Sequence, residues 1–308
     1  MMYYSASMNT LDESLMNAVK EGKLLESSRT NIRLLLDGTK FPIAREAVEE
    51  LVAAGEWQEL NDRFYKTLAF GTGGLRGRTI GSIVTRAEQG NGGVNGRPEY
   101  PCVGTACMNY FNVGRAMRGL IIYVKKHVEA TDPGRKPRLV IGHDTRHFSR
   151  DFAEFCAKIG TDLGCDIYLF DSPRATPEIS FAIRELHADS GVVLTASHNP
   201  SHDNGFKAYF NDGAQLVPPH DKAVIKEVNS LTSEEYEPLP EGRRGTLHVL
   251  DSSFDRIYMD RLKTVLLRPE LFNRGGAKIV YSNLHGTGGH IIVPLLKELG
   301  CNVQTVAA

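Results

Sequence analysis

RLVIGHDTRHFSRDFAEFCAKIGTDLGCDIYLFDSPRATPEISFAIRELHADSGVVLTASHNP, the stretch from Arg138 to Pro200, alternates short apolar runs with longer amphipathic ones. Leu139-Val140-Ile141-Gly142 has the length and branched residues of a buried strand. Beyond it the spacing predicts a helix N-capped by Ser149, with Phe152, Phe155, Ile159 and Leu163 on one face. Asp166 to Phe170 is the next strand. A second helix opens with Thr176 as N-cap and Pro177 at its first position, turning Ile179, Ala182, Ile183 and Leu186 inward. Val192-Val193-Leu194 is a third strand, which ends at Thr195. Strands alternating with helices in this way predict a sheet with parallel strands and covering helices.

On the N-terminal side, residues 11 to 69 show near-helical spacing and no strand-like alternation, notably from Ala44 to Ala54 and from Trp57 to Leu68. The glycine-rich run Phe70-Gly71-Thr72-Gly73-Gly74-Leu75-Arg76-Gly77 follows, then a Gly/Asn-rich loop from Gly90 to Gly96 and a helix from about Tyr110 to Val128. On the C-terminal side, Ser, Glu, Pro and Gly dominate between Leu231 and Leu247, the composition of a linker. A helix over about Ser253 to Leu267 precedes the strand Lys278 to Leu284, the tight loop His285 to Gly289 and a helix from Ile291 to Leu299. A last strand begins at Cys301. The expected division is a helical N-terminal extension over 1–69, packed on a first domain over 70–248, and the start of a second α/β domain over 249–308.

Composition narrows the function. Lys and Arg number 36 against 37 Asp and Glu, a net charge of -1, so no global field draws nucleic acid or an acidic membrane surface. No apolar run reaches about 18 residues, and the N-terminus lacks a basic segment followed by an apolar one. We therefore expect a cytoplasmic protein with neither nucleic acid nor membrane as partner. The oligomeric state is not legible. Cys102, Cys107, Cys156, Cys165 and Cys301 form no C-x-x-C pair and read as free thiols, with a Cys102/Cys107 metal or redox pair as the alternative.

The chemistry gathers past the third strand, where open α/β sheets place ligands. Thr195-Ala196-Ser197-His198-Asn199-Pro200 supplies a hydroxyl, an imidazole and an amide in a stiffened turn, and Asn204-Gly205-Phe206-Lys207 brings back a lysine. Such a lysine, with its pKa lowered by burial or cationic neighbours, can take a serine proton. A plain polar turn with a solvated Lys207 is the other reading. A serine hydrolase would use Ser197 and His198 too, but the G-x-S-x-G elbow is absent.

The glycines of Phe70 to Gly77 permit close backbone approach, so the N–H groups around Gly73 and Gly74 can form an anion-binding nest, to which Arg76 adds a planar fork; a flexible turn with a solvated arginine is the alternative. Neither the Walker loop nor the dinucleotide G-x-G-x-x-G is matched. In Gly142-His143-Asp144-Thr145-Arg146, Arg146 either faces the same cleft or pairs with Asp144 to brace the sheet. His285-Gly286-Thr287-Gly288-Gly289 holds the corresponding place in the second unit, as a substrate contact or as turn geometry.

In this order, the glycine run, the Gly142 to Arg146 loop, the Ser197 loop, Asn204 to Lys207 and Leu284 to Gly288 resemble the alpha-D-phosphohexomutase family. Gly213-Ala214-Gln215 with Pro218-Pro219 points within it to the branch that holds phosphoglucomutase 2 and phosphopentomutase. The resemblance implies an α/β fold: a phosphohexomutase-like first domain with a mixed sheet between helices, and an incomplete second α/β domain. It also implies an intramolecular phosphotransferase that interconverts sugar 1- and 6-phosphates, or pentose 1- and 5-phosphates, through a sugar bisphosphate. By it Ser197 is the phosphorylated nucleophile and, through its phosphate, a ligand of Mg²⁺; Lys207 is the general acid/base; His198 and Arg76 orient and neutralise the transferring group; and Gly73, Gly74, Asn199, Arg146 and His285 bind substrate or phosphate.

The family holds its metal with an Asp-x-Asp-x-Asp loop, yet no Asp-x-Asp occurs in this chain, and the family's Glu-x-Ser-Gly sugar loop is missing as well. The expectation is a chain that stops before both, with little or no mutase turnover by itself. A bisphosphate synthase or phosphatase using the same phosphoserine, or a non-catalytic sugar-phosphate-binding protein, are the alternatives.

Overall fold

The computed structural model describes residues 2–71, 73–274 and 278–306. Four helices come first: α1 (Met2–Lys20), α2 (Glu26–Gly38), α3 (Ala44–Ala54) and α4 (Trp57–Phe64). Ile32, Leu35, Val48, Leu51, Leu60 and Phe64 recur at helical spacing, and their buried faces close on Ala87, Val103 and Phe111 of the next unit. At this seam the fully buried Arg63 guanidinium donates to Glu59 Oε1 at 2.8 Å and Glu88 Oε1 at 2.5 Å, and to the carbonyls of Val103 and Ile83. Beside it the buried Cys102 and Cys107 place their Sγ atoms 3.2 Å apart, as free thiols.

The strand β1 (Gly74–Arg78), the single turn α5 (Arg86–Gln89) and the long α6 (Tyr110–Thr131) lead into β2 (Arg138–His143), α7 (Ser149–Asp162), β3 (Asp166–Phe170), α8 (Thr176–Glu185), β4 (Ser190–Leu194), β5 (Asp203–Phe210), α9 (His220–Ser230) and β6 (Leu247–Leu250). The strands form one mixed sheet in the order β1-β5-β4-β2-β3-β6. β4, β2, β3 and β6 run parallel, while β5 is antiparallel to both β4 and β1. Alternate residues serve opposite faces, as the strand period of two requires. Leu139, Ile141, Ile167, Val192 and Leu194 pack with α6 and α7. Val140, Phe170 and Val193 pack with Ile179, Ala182 and Ile183 of α8.

Both expected helix caps shift by one residue. Ser149 is the first helical residue of α7, after Phe148 in the left-handed region (φ 64), because its hydroxyl is taken by Asp144 Oδ1 at 2.6 Å. Thr176 likewise opens α8 from inside, with Ala175 as N-cap. The segment expected as a linker is a strap docked on the first unit: Leu239 N donates to Asp162 O at 2.9 Å, Tyr236 Oη to Asp162 Oδ2 at 2.9 Å, and Gly245 N to Thr161 O at 2.8 Å. It delivers the edge strand β6, which pairs with β3 across position 249.

α10 (Ser252–Thr264), β7 (Lys278–Tyr281), α11 (Ile292–Glu298) and β8 (Asn302–Thr305) complete the described chain, with β7 and β8 parallel. Glu298 ties α11 to Arg256 and Lys263 of α10, at 2.5 Å each. Among the described residues no helix is long and apolar enough to cross a membrane.

Candidate functional site

Strand order reverses around β2, with β3 on one side and β4 on the other, so loops leaving the carboxyl ends of β2 and β4 face one crevice. The β4–β5 connection carries Ser197. Pairing of Val193 with Lys207 and of Leu194 with Phe206 fixes the hairpin register and returns the lysine beside the serine. Lys207 Nζ donates to Ser197 Oγ at 3.3 Å. Burial, then the nearby Arg76 cation, hold this amine below the usual lysine range, against the opposing pull of Asp144.

The loop itself is tightly formed. Thr195 Oγ1 accepts from Ser197 N at 2.9 Å, and Asn199 N donates to Ala196 O at 3.1 Å. Ser197 is exposed and lies at φ 58, in the left-handed region that non-glycine residues seldom occupy.

The glycine run is not a free nest. From Gly74 onward it is an edge strand, with Gly74 opposite Lys207 and Arg76 opposite Gly205. A Cβ on Gly74 would lie 1.8 Å from Phe206 O, so the close pairing requires glycine. Gln215 Nε2 donates to Gly73 O at 3.2 Å and holds the turn from outside. Thr72 lies outside the described residues. The pairing delivers Arg76 to the Ser197 loop, where Nη1 donates to Asn199 Oδ1 at 3.2 Å. Asn199 Nδ2 in turn donates to Asp203 Oδ2 at 3.0 Å, so the amide links Arg76 to the hairpin.

Past β2, Asp144 Oδ1 accepts from Arg146 N at 3.0 Å and from the Ser149 hydroxyl. Both sequence readings of Arg146 receive an answer in its contacts. Asp144 Oδ2 is 3.4 Å from its Nε, and the rest of the guanidinium reaches the carbonyls of the serine loop. Thr145 Oγ1 donates to the backbone oxygen of His285, which brings the second unit's loop against the first. Together these loops line a cavity of about 830 Å³ that includes Ser197, His198, Asn199, Thr176, Asn283 and His285.

Sequence reasoning placed Ser149 only as a helix cap and Asn204 and Gln215 only within motifs, with no role in the site. Asn204 Nδ2 donates to the Ser149 hydroxyl and to His147 O at 2.9 Å each, beneath the serine loop. The apolar alternation Phe206, Ala208, Phe210 was the signal for the strand that buries it. Among the described residues no group of three or more His, Cys, Asp or Glu side chains converges as a metal would require.

A model of the phosphoglucomutase/phosphomannomutase alpha/beta/alpha domain I matches residues 67–235. A phosphoglucomutase of Staphylococcus epidermidis (strain ATCC 12228 / FDA PCI 1200) is 31% identical over 245 residues, covering 80% of this chain and 40% of that protein. A Homo sapiens phosphopentomutase is 28% identical over 271 residues, covering 84% of this chain and 40% of its own. A solved structure described as a phosphomannomutase of Thermus thermophilus superposes with a TM-score of 0.56 at 24% identity, covering 79% of this chain and 46% of its own, a likeness of fold alone. The chain spans about two fifths of the length of these curated relatives.

Proposed function

This chain belongs to the phosphoglucomutase/phosphomannomutase family, and from that premise we propose that it carries the phosphate-accepting half of a sugar-phosphate mutase, with Ser197 as the group that is phosphorylated. The observation that supports this reading is the contact of Lys207 Nζ with Ser197 Oγ at 3.3 Å, beside Arg76. A lysine held below its ordinary pKa takes the hydroxyl proton as Oγ attacks phosphorus, and gives it to the departing sugar oxygen as the bond from that oxygen to phosphorus breaks. In the return step a sugar hydroxyl attacks the phosphoserine and Lys207 exchanges the proton again. Arg76, exposed and held among the described residues by the Asn199 amide oxygen, is free to meet the transferring group, whose charge needs neutralising more than its bonds need covalent help.

His198 lies on the cavity wall and orients the phosphoryl group. Asn199 positions Arg76; Gly73 and Gly74 let β1 approach closely enough to place it. His285 brings the second unit to the substrate through its backbone. A phosphoserine oxygen is the one contact with Mg²⁺ that we assign to the described residues, and when bound the ion would offset phosphate charge. The substrate class is a hexose or pentose phosphate, with the matching bisphosphate as intermediate.

The test is incubation of the 308-residue chain with glucose 1,6-bisphosphate and, separately, ribose 1,5-bisphosphate, followed by intact-mass and peptide mapping. The chain gains one phosphoryl group on Ser197, and Ser197→Ala gains none. Phosphate on another residue, or none on Ser197 with either donor, overturns the assignment.

A further inference from the structure

A guanidinium offers five N–H donors in a rigid plane and accepts nothing. In Arg146 both Nη groups donate to backbone carbonyls, while the buried Nε has no hydrogen-bond partner among the described residues and keeps only an ionic contact. Nη1 donates to Pro200 O at 2.7 Å and Asp203 O at 3.2 Å, and Nη2 to Ser197 O at 2.7 Å and Asn199 O at 2.5 Å. Nε faces Asp144 Oδ2 at 3.4 Å, and only 11% of the side chain is exposed. Arg76, across the loop, is exposed and among the described residues has one such contact, to Asn199.

Four carbonyl oxygens turned toward one point repel each other unless a cation occupies that point, and a planar fork matches them where a single ammonium does not. The backbone they belong to also holds Ser197 at φ 58, a conformation that lasts only where its surroundings over-determine it. Asp144, fixed by the Ser149 hydroxyl at 2.6 Å, balances the charge, so little of it is left for an incoming phosphate. The same fork ties the carboxyl end of β2 to the loop that joins β4 and β5.

We propose that Arg146 is a positioning residue that sets the geometry of the Ser197 loop through its backbone carbonyls, and not a ligand of substrate phosphate. Its importance for phosphate transfer rests on the reading of Ser197 given above; its hold on the loop does not. The clamp acts through the loop in both directions of transfer, and its loss moves the rate of Ser197 phosphorylation more than the apparent affinity for the bisphosphate.

Amide hydrogen exchange on the 308-residue chain reads the clamp without substrate. Arg146→Met and Arg146→Lys each speed exchange at 196–203 about tenfold or more, whereas Arg76→Met leaves it near the parent rate. With glucose 1,6-bisphosphate as donor, both Arg146 variants lower the phosphorylation rate with KM changed less than about twofold, and Arg76→Met raises KM. Unchanged exchange in Arg146→Met, rescue by Arg146→Lys, or a rise in KM without loop loosening overturns the proposal. Should either variant fail to fold, the unmodified chain supplies the answer by nitrogen-15 NMR. Its Arg146 Nη groups give separate, slowly rotating signals that added inorganic phosphate does not shift; fast rotation, or a phosphate-dependent shift, overturns the clamp. An unphosphorylated Ser197 alongside fast exchange in the Arg146 variants would instead sink the mutase reading and leave the clamp standing.

Discussion

At Lys207 the competition between solvation and neighbouring charge decides what the amine does. Burial and Arg76 both favour the neutral form, and Asp144 restores only part of the charged one. A base must be neutral to take a proton, so Ser197 phosphorylation rises with pH through the depressed lysine pKa and levels off above it. Arg76→Met removes a cation from the neighbourhood and moves that rise to higher pH. Lys207→Met lowers the rate by about 10²–10⁴-fold at pH 8 and abolishes the rise. Stopped-time mass spectrometry between pH 6 and 10 measures all three. An unaltered profile in Arg76→Met would show that its charge does not reach Lys207.

Helix α8 meets α10 through a second unusual group. Glu178 is 0% exposed, its carboxyl oxygens meet no donor among the described residues, and its neighbours are Asp255 of α10, itself bound to Arg174 Nε at 2.6 Å, and Tyr258. Burial, then Asp255, push its pKa up to about 8 against the pull of Arg174. The native state therefore keeps a proton that the unfolded chain loses near the ordinary carboxyl range. Stability falls as pH rises from that range toward about 8, then flattens. Glu178→Gln keeps the shape without the charge. Thermal melts should show its midpoint raised by about 2–4 °C at pH 9 and little changed at pH 5. A lower midpoint at both pH values would show that the carboxyl is needed as such.

Elements also differ in how openly their sequence declares them. β2 and β4 are buried almost throughout and β3 in part, and all three read as apolar runs, which is why these strands, though not their order in the sheet, were legible from residues alone. β1 was not. Its sequence, Gly-Leu-Arg-Gly-Arg, has no apolar period, and only pairing with β5 makes it a strand. The strap over 231–247 is polar because it runs across the surface, a composition that a linker shares; Asp162, distant in sequence, is what anchors it. The role of Arg146 was hidden for a similar reason, since carbonyl partners leave no trace in residue type.

For the molecule as a whole, the helical extension meets the sheet unit through apolar packing that surrounds a buried cation, Arg63. Glu59 of α4 and Glu88 of α5 meet across Arg63, and Arg78 adds a contact with Glu59 at 3.1 Å. Removing the cation leaves the buried Glu88 with backbone donors but no counter-ion, and Glu59 with Arg78 alone. Arg63→Met should cost about 3–5 kcal/mol in urea unfolding, far beyond an exposed pair such as Arg150 with Glu154. A loss below about 1 kcal/mol would mean that apolar packing alone holds the extension in place.

The backbone at Ser197 has one more consequence, for which hydroxyl that loop accepts. At φ 58 a side chain branched at Cβ crowds its own carbonyl, so threonine, with the same oxygen to offer, suits the position poorly. Glycine or asparagine would keep the curve of the loop and silence it. Threonine would keep the chemistry and distort the curve. Of these residues serine satisfies both demands, so under the proposed assignment of Ser197 a kink in the main chain favours the nucleophile before any substrate arrives.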